Sequence, residues 1–366
     1  MFANVYEGRR VFITGHTGFK GSWLASWLLR LGAELAGFSD CVPTGPSHFE
    51  AQGLAGRLRD FRGDVRDRNA LCAAMRDFAP DMVFHLAAQA LVRASYQDPA
   101  LTFATNAMGT MNLLEAVRGA PSVQAVVCIT SDKCYRNDEW VWGYRERDQL
   151  GGDDPYSASK GCAELVAHSY FVSFFKDGPA CATTRAGNVI GGGDWAQDRI
   201  VPDCARAWSA GQAARIRSPH ATRPWQHVLE PLSGYLWLGA RLIREARGGR
   251  TLSGEAYNFG PAGDMDKTVS EVVDALAAHW PGFRSEMDRA GDPGMRESTL
   301  LKLCCDKVLA CLGWKATLDF EECIRYTAEW YRAYYAQDRP DMLAFTLGQI
   351  AAYSTAAEAR GLPWTA

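Results

Sequence analysis

The chain has 366 residues, 47% of them hydrophobic and 22% charged, which allows one large core plus a smaller appended domain beyond the roughly 100–200 residues of a single ordinary domain. A formal net charge of -3 without any block of like charges provides no basic stripe for nucleic acid. No apolar run reaches the ~20 residues that a membrane-spanning helix needs.

The first ten residues lack the charged, apolar, then small order of a signal peptide, so a cytoplasmic location is expected. From Arg10 to about Ile190 short apolar runs alternate with longer amphipathic stretches, the pattern of a doubly wound parallel α/β sheet of the Rossmann type. Strands are expected at 11–14, 34–38, 58–62, 82–86, 125–130 and 181–185, and helices at 22–31 (closed by Gly32), 69–78, 99–118 and 156–175. After Gly191 glycine, proline, arginine and tryptophan follow in irregular order as far as Trp225. Periodicity then returns over 228–245, followed by a strand at 256–260 and amphipathic helices at 269–279 and 320–336. Residues 1–189 plus about 226–258 are read as the dinucleotide-binding domain. Residues about 190–225 plus 259–366 are read as a smaller, discontinuous C-terminal lobe that holds the substrate. Eleven scattered cysteines, with no C-x-x-C pair and no His/Cys cluster of metal spacing, predict buried free thiols and no metal centre.

Ligands of such sheets sit beyond the carboxyl ends of the strands, so the residues that follow each strand carry the functional reading. Gly15, Gly18 and Gly21 lie between the first strand and the first helix, where small residues let the backbone approach a pyrophosphate at a helix N-terminus. Asp64, ending the third run beside Val65, is either a hydrogen-bond acceptor for an adenine amino group or a solvated turn residue. Asp40 follows the second strand at the spacing of the acidic residue that holds ribose hydroxyls and repels a 2′-phosphate, which favours NAD over NADP; Ser39 is the alternative for that contact. Tyr156 and Lys160 share one helix face at i and i+4. A lysine ammonium beside a phenol stabilises phenolate, which lets the tyrosine take a proton from a sugar hydroxyl.

The T-G-x-x-G-x-x-G turn, His85-Leu86-Ala87-Ala88, Asn106 ahead of Gly109-Thr110, and Tyr156 with Lys160 together resemble the extended short-chain dehydrogenase/reductase family, in its NAD-dependent epimerase/dehydratase group. The resemblance covers essentially the whole chain. It implies an NAD cofactor lined by Phe19, Lys20, Val65, Leu86, Ala87, Ala88 and Asn106, with Tyr156 and Lys160 as the oxidising pair. Where sugar-nucleotide dehydratases carry Thr-Asp-Glu, this chain has Ser131-Asp132-Lys133. The segments from Gly15 to Trp23, Ser131 to Tyr135 and Trp140 to Glu146 resemble the dehydratases that act on the nucleotide sugar CDP-glucose.

The implied chemistry oxidises C4, eliminates water across C5 and C6, and returns hydride to C6. Asp132, with its pKa raised by burial, would protonate the departing hydroxyl. Ser131 would hydrogen-bond the C4 oxygen or else satisfy backbone groups at the strand end, and Lys133 is either the C5 base, a task Tyr156 could take instead, or a cation that balances Asp132. The resemblance places Asn188, Arg199 and Arg223 on the substrate diphosphate, whereas Gln89 and Arg93 either face the hexose or serve a helix start. It also implies a homodimer through a four-helix bundle of 99–118 and 156–175, with a tetramer as the larger alternative. The rival readings are a 4-epimerase or ketoreductase acting on another NDP-hexose, and a non-catalytic NAD-binding subunit.

Overall fold

The computed structural model describes residues 1–246, 251–261, 265–280, 283–287 and 300–366. Seven parallel strands form the expected sheet: β1 (Arg10–Thr14), β2 (Glu34–Ser39), β3 (Arg59–Arg62), β4 (Met82–His85), β5 (Ala125–Ile129), β6 (Ala180–Ala186) and β7 (Glu255–Phe259). Their order is β7-β6-β5-β4-β1-β2-β3. The winding direction therefore reverses beside β1, which has β2 on one side and β4 on the other, and a crevice opens there beyond the strand ends. Central strands read as unbroken apolar runs because both faces are covered: Val11, Phe12 and Ile13 of β1 are all fully buried. The edge strand β3, Arg-Asp-Phe-Arg, is short and charged, which discourages pairing with another chain.

One face of the sheet carries α1 (Phe19–Arg30), whose Trp23, Leu24, Trp27 and Leu28 are wholly buried, each burial contributing about 1.5–3 kcal/mol. The other face carries α2 (Arg68–Phe78), α3 (Gly109–Arg118) and α4 (Pro155–Phe174), sharing one core with Phe12, Val83 and Val126. The expected helix 99–118 is not continuous. Pro99–Phe103 is helical, Ala104–Met108 forms a π turn, and α3 follows. Such a bulge re-aims side chains and often marks a functional position.

On the α1 side, α5 (Leu229–Glu245) lies against β5 and β6. α6 (Phe320–Tyr335) and α7 (Met342–Ala359) complete that core, and Trp27 meets Tyr353 edge-on. Glu230 of α5 clamps the assembly, accepting hydrogen bonds from Thr317 N, Leu318 N and the Tyr353 hydroxyl at 2.8, 2.6 and 2.8 Å. The sequence reading gives no helix at Ile200–Ser209 or α7, nor at the shorter His48–Ala51 and Asp306–Leu312. Among the described residues three short strand pairs lie outside the large sheet: Val189–Ile190 with Gln226–His227, Thr222–Pro224 with Asp266–Thr268, and Ala214–Ile216 with Ser285–Met287.

All eleven cysteines are free thiols, but the expectation of burial holds only for Cys128, Cys134, Cys181, Cys204 and Cys323, while Cys41 and Cys311 are exposed. Among the described residues no helix is long and apolar enough to cross a membrane.

Candidate active site

The glycine turn closes on the strand ends. Gly15 has φ +75°, and a Cβ there would stand 2.6 Å from Ala87 N; a Cβ on Gly21 would stand 2.1 Å from Gly15 O. Packing thus demands glycine at both positions. Gly18 differs: its Cβ would meet only Gly15 O, at 3.4 Å, so the protein itself leaves its face open. Gly18 is also the N-cap of α1 and provides no side-chain cap, so the first N–H groups of the helix are directed at that open face. Leu86, Ala87 and Ala88 leave β4 beside the turn, where Ala87 N donates to Thr14 Oγ1 at 3.3 Å.

Beyond β5 the chain turns through Ser131, Asp132 and Lys133. Ser131 Oγ donates to Asp132 Oδ1 at 2.9 Å, accepts from Lys133 N at 3.2 Å, and hydrogen-bonds the Tyr156 phenol. Tyr156, Lys160, Ser131 and Asp132 are all less than one-tenth exposed. Gly187, at the end of β6, makes the room: a Cβ there would sit 2.9 Å from Asp132 Oδ2. Burial raises the Asp132 carboxyl above the usual range, against the pull of Lys133, Ser131 and Lys20. Burial likewise pushes the Tyr156 phenol to about 12, with Ser131 and Arg199 drawing it down and Asp132 opposing them.

The expected lowering of the tyrosine pKa by the neighbouring lysine is therefore not seen, because desolvation outweighs it and Lys160 interacts instead with Cys134, Glu164 and Cys128. Burial brings the Lys160 ammonium down to about 8. Lys20, from the first turn of α1, is also brought to about 8, by burial and then by Arg199. Its other electrostatic neighbours are Asp132, Lys160 and Asp194, so it belongs to this cluster as much as to the glycine turn.

A second polar cluster lies deeper. Arg185 of β6 grips Glu164 of α4 with two hydrogen bonds, Nε to Oε1 at 2.9 Å and Nη2 to Oε2 at 2.8 Å. Thr130 Oγ1 donates to Glu164 Oε1, and Thr183 Oγ1 donates to Oε2 at 2.8 Å. Arg185 also reaches the Tyr135 hydroxyl at 2.7 Å and Glu146 O at 3.0 Å. Burial alone would raise the Glu164 carboxyl, but Arg185, Thr130 and Thr183 hold it below its usual value. The sequence reading missed this cluster; a Glu four residues past Lys160 was the available signal.

The remaining expected residues are placed as follows. Asn106 sits in the π turn and spends its amide on the protein: Oδ1 accepts from Gln89 N at 2.9 Å, and Nδ2 donates to Gln89 O and Ser159 Oγ at 3.0 and 2.8 Å. The Gln89 side chain bonds Leu91 and Thr102, which matches a helix-start role. Arg93 Nε stands 3.9 Å from Asp198 Oδ2. Asp40 is exposed and accepts from Cys41 N, while Asp64 accepts from Arg66 N at 2.8 Å and is held below its usual value chiefly by the Arg66 side chain. Val65 packs against Gly109.

Arg199 pairs with Asp194 at 2.7 Å and acts on Tyr156 and Lys20, so the structure joins it to the cluster. Asn188 O accepts from Gln226 N, and Arg223, on the Thr222–Pro224 strand, donates to the Thr222 carbonyl. A cleft of about 510 Å³ lined by Asn4, Glu7, Arg9, Asp81 and Arg244 lies at the opposite, amino-terminal end of the sheet.

A family model described as GDP-mannose 4,6 dehydratase matches residues 12–327. The chain is 46% identical over 359 residues to a CDP-glucose 4,6-dehydratase from Salmonella typhimurium, covering 96% of this chain and 98% of that protein. Among solved structures it is similar to a dTDP-glucose 4,6-dehydratase from Streptomyces venezuelae with NAD bound (TM-score 0.71, 25% identity, 88% of this chain and 97% of that one). It is equally similar to a UDP-glucose 4-epimerase from Thermus thermophilus in complex with NAD (TM-score 0.71, 26% identity, 88% and 99%).

Proposed function

Because the chain belongs to the GDP-mannose 4,6 dehydratase family, we propose that it is a hydro-lyase converting CDP-glucose to CDP-4-dehydro-6-deoxyglucose, with NAD held as a resident cofactor. The observation that carries this reading is the convergence of Tyr156, Ser131 and a buried Asp132 of raised pKa beyond the carboxyl end of β5. An oxidising base and a proton donor then share a site, and neither a 4-epimerase nor a ketoreductase needs the donor to expel water from C6.

The glycine turn fits a dinucleotide: packing explains Gly15 and Gly21, but Gly18 and the uncapped start of α1 are explained by a diphosphate seated on that face. NAD held there would supply the acceptor for the C4 hydride and the source of the hydride returned to C6. Tyr156 would take the C4 hydroxyl proton as its phenolate, the form that Ser131 and Arg199 favour against burial. Oxidation makes the C5 proton α to a ketone and hence removable. The amines available to take it are Lys133, beside Asp132, and Lys20, which burial brings to about 8. Asp132, whose carboxyl burial raises, is the group placed to give a proton to the departing C6 oxygen.

Arg199 adds a cation for the substrate diphosphate beside Tyr156 once it exchanges Asp194 for the ligand, with Arg223 and Asn188 as further candidates. Asn106 and Gln89 serve by fixing the π turn against α4. The division into a Rossmann domain and a second lobe belongs to this reading, as does a cytoplasmic setting. So does a homodimer through the π-turn segment and α4, supported by exposed Met108, Leu165, Val172 and Phe174 on those stretches. The test is incubation of the purified protein with CDP-, UDP-, dTDP- and GDP-glucose. The expected product appears with CDP-glucose, is lighter by one water and absorbs as a 4-keto sugar in alkali; an isobaric product points to epimerisation instead.

A further inference from the structure

Tyr156, Lys160 and Glu164 are spaced by four residues and so occupy one stripe of α4. Chemistry accounts for the first two, and the third has no role in the reaction as described. Glu164 is nevertheless 3% exposed and the most heavily partnered carboxylate near the site, bound by Arg185 through a two-point grip and by the hydroxyls of Thr130 and Thr183. Thr130 immediately precedes Ser131 and Asp132, so Glu164 joins the catalytic helix to the strand end that carries the proton donor.

The groups around Lys160 make Glu164 distinctive. From β5 and the turn after it come Cys128 and Cys134, the first pushed to about 12 by burial and the second well above the usual thiol range, so both are uncharged at neutral pH. From β4 comes His85, pulled to about 3 by burial and then by Lys160, and also uncharged. From α1 comes Lys20, a cation. Among the groups that favour the charge on Lys160, Glu164 is thus the one ionised at neutral pH. Arg185 faces Glu164 from β6 and Cys134 from the turn. Tyr156 in turn is faced by Ser131, Asp132, Arg199 and Asp154, and by Tyr235 from α5.

We propose that Glu164 is a positioning residue of the dehydratase: gripped by Arg185 and tied to Thr130, it sets a carboxylate one helical turn beyond Lys160 and registers the Ser131–Asp132 turn against the Tyr156–Lys160 face of α4. The proposal rests on the reading of Tyr156 and Lys160 as the oxidising pair.

Removing Glu164 alone strands a buried guanidinium, so the informative variant is Glu164→Gln combined with Arg185→Met, which removes both charges together. Three quantities are compared with the parent enzyme in its cofactor-bound form: the melting temperature, the alkaline limb of kcat/KM with CDP-glucose, and the Lys160 titration midpoint from carbon NMR of lysine-labelled protein. The double variant is expected to melt near the parent while the limb and the midpoint both fall by about one pH unit. Glu164→Asp, which retains the charge, is expected to leave the limb and midpoint in place and decides the question if the double variant does not fold. A folded double variant with the parental limb and midpoint, or an Asp variant that shifts both, overturns the proposal. A parent without dehydratase activity defeats the proposed function instead, and the NMR titration still decides the role of Glu164.

Discussion

Two buried carboxylates near the same helix are treated in opposite ways by their surroundings. Asp132, at the mouth of the site, receives one hydroxyl hydrogen bond at 2.9 Å and has its pKa raised by burial. Glu164, in the floor, receives a two-point guanidinium grip and two threonine hydroxyls, and its pKa is lowered despite equal burial. Desolvation acts on both; the Arg185 charge held against Glu164, followed by its hydrogen bonds, decides the sign. The floor is satisfied and therefore rigid, whereas the mouth keeps a carboxyl short of partners and so able to carry a proton. Active sites commonly retain such local instability for the sake of reactivity.

Substitution of the mouth should have the largest effect. Asp132→Asn keeps the shape and removes the transferable proton, so kcat is expected to fall about 10³-fold, in the middle of the range for a lost general acid. Single-turnover product analysis would check this, and a variant within tenfold of the parent would break the contrast. Glu164→Gln should act on stability instead. Leaving Arg185 buried without its counter-ion is expected to cost about 3–5 kcal/mol, visible as a lowered melting temperature in calorimetry.

The two carboxylates should also give opposite pH signatures. A raised carboxyl contributes stability that is complete below its unfolded value of 3.8 and is lost as pH rises through its folded value. A lowered one contributes stability present above 4.5 and lost as pH falls. Asp132→Asn should therefore match the parent near pH 4 and exceed it at pH 8, by about 1 kcal/mol in urea unfolding. Equal stability at both pH values would place Asp132 among ordinary carboxylates. The smallest effect is expected from Thr183→Val, which removes one of four donors to Glu164: about 1 kcal/mol of stability with kcat intact.

The same contrast explains what could be read from the sequence. The mouth residues follow strand ends or share one helix face, so the i,i+4 spacing pointed to Tyr156 and Lys160 and the family resemblance to Ser131 and Asp132 at a strand end, and the sheet strands are found within a residue or two of their expected bounds. The floor is non-local: Glu164 meets Arg185 across 21 residues and Thr130 across 34. Nothing in Ala104–Met108 announces a π turn, because the bonds that hold Asn106 come from Gln89 and Ser159, 17 and 53 residues away. α7 buries Met342, Thr346, Gln349, Ile350, Tyr353 and Ala357 at helical spacing, but its intervening alanines blur the contrast between faces. In Ile200–Ser209 the breaker Pro202 falls in the first turn, where proline is tolerated.

The central claim is that one site oxidises C4, expels water through Asp132 and returns the same hydride to C6. CDP-glucose deuterated at C4 tests it most directly, with proton NMR and mass analysis of the product. The account predicts that the deuterium is retained and found in the C6 methyl group, accompanied by one solvent-derived hydrogen at C5. Deuterium lost to solvent, or still at C4 in a product of unchanged mass, would contradict it.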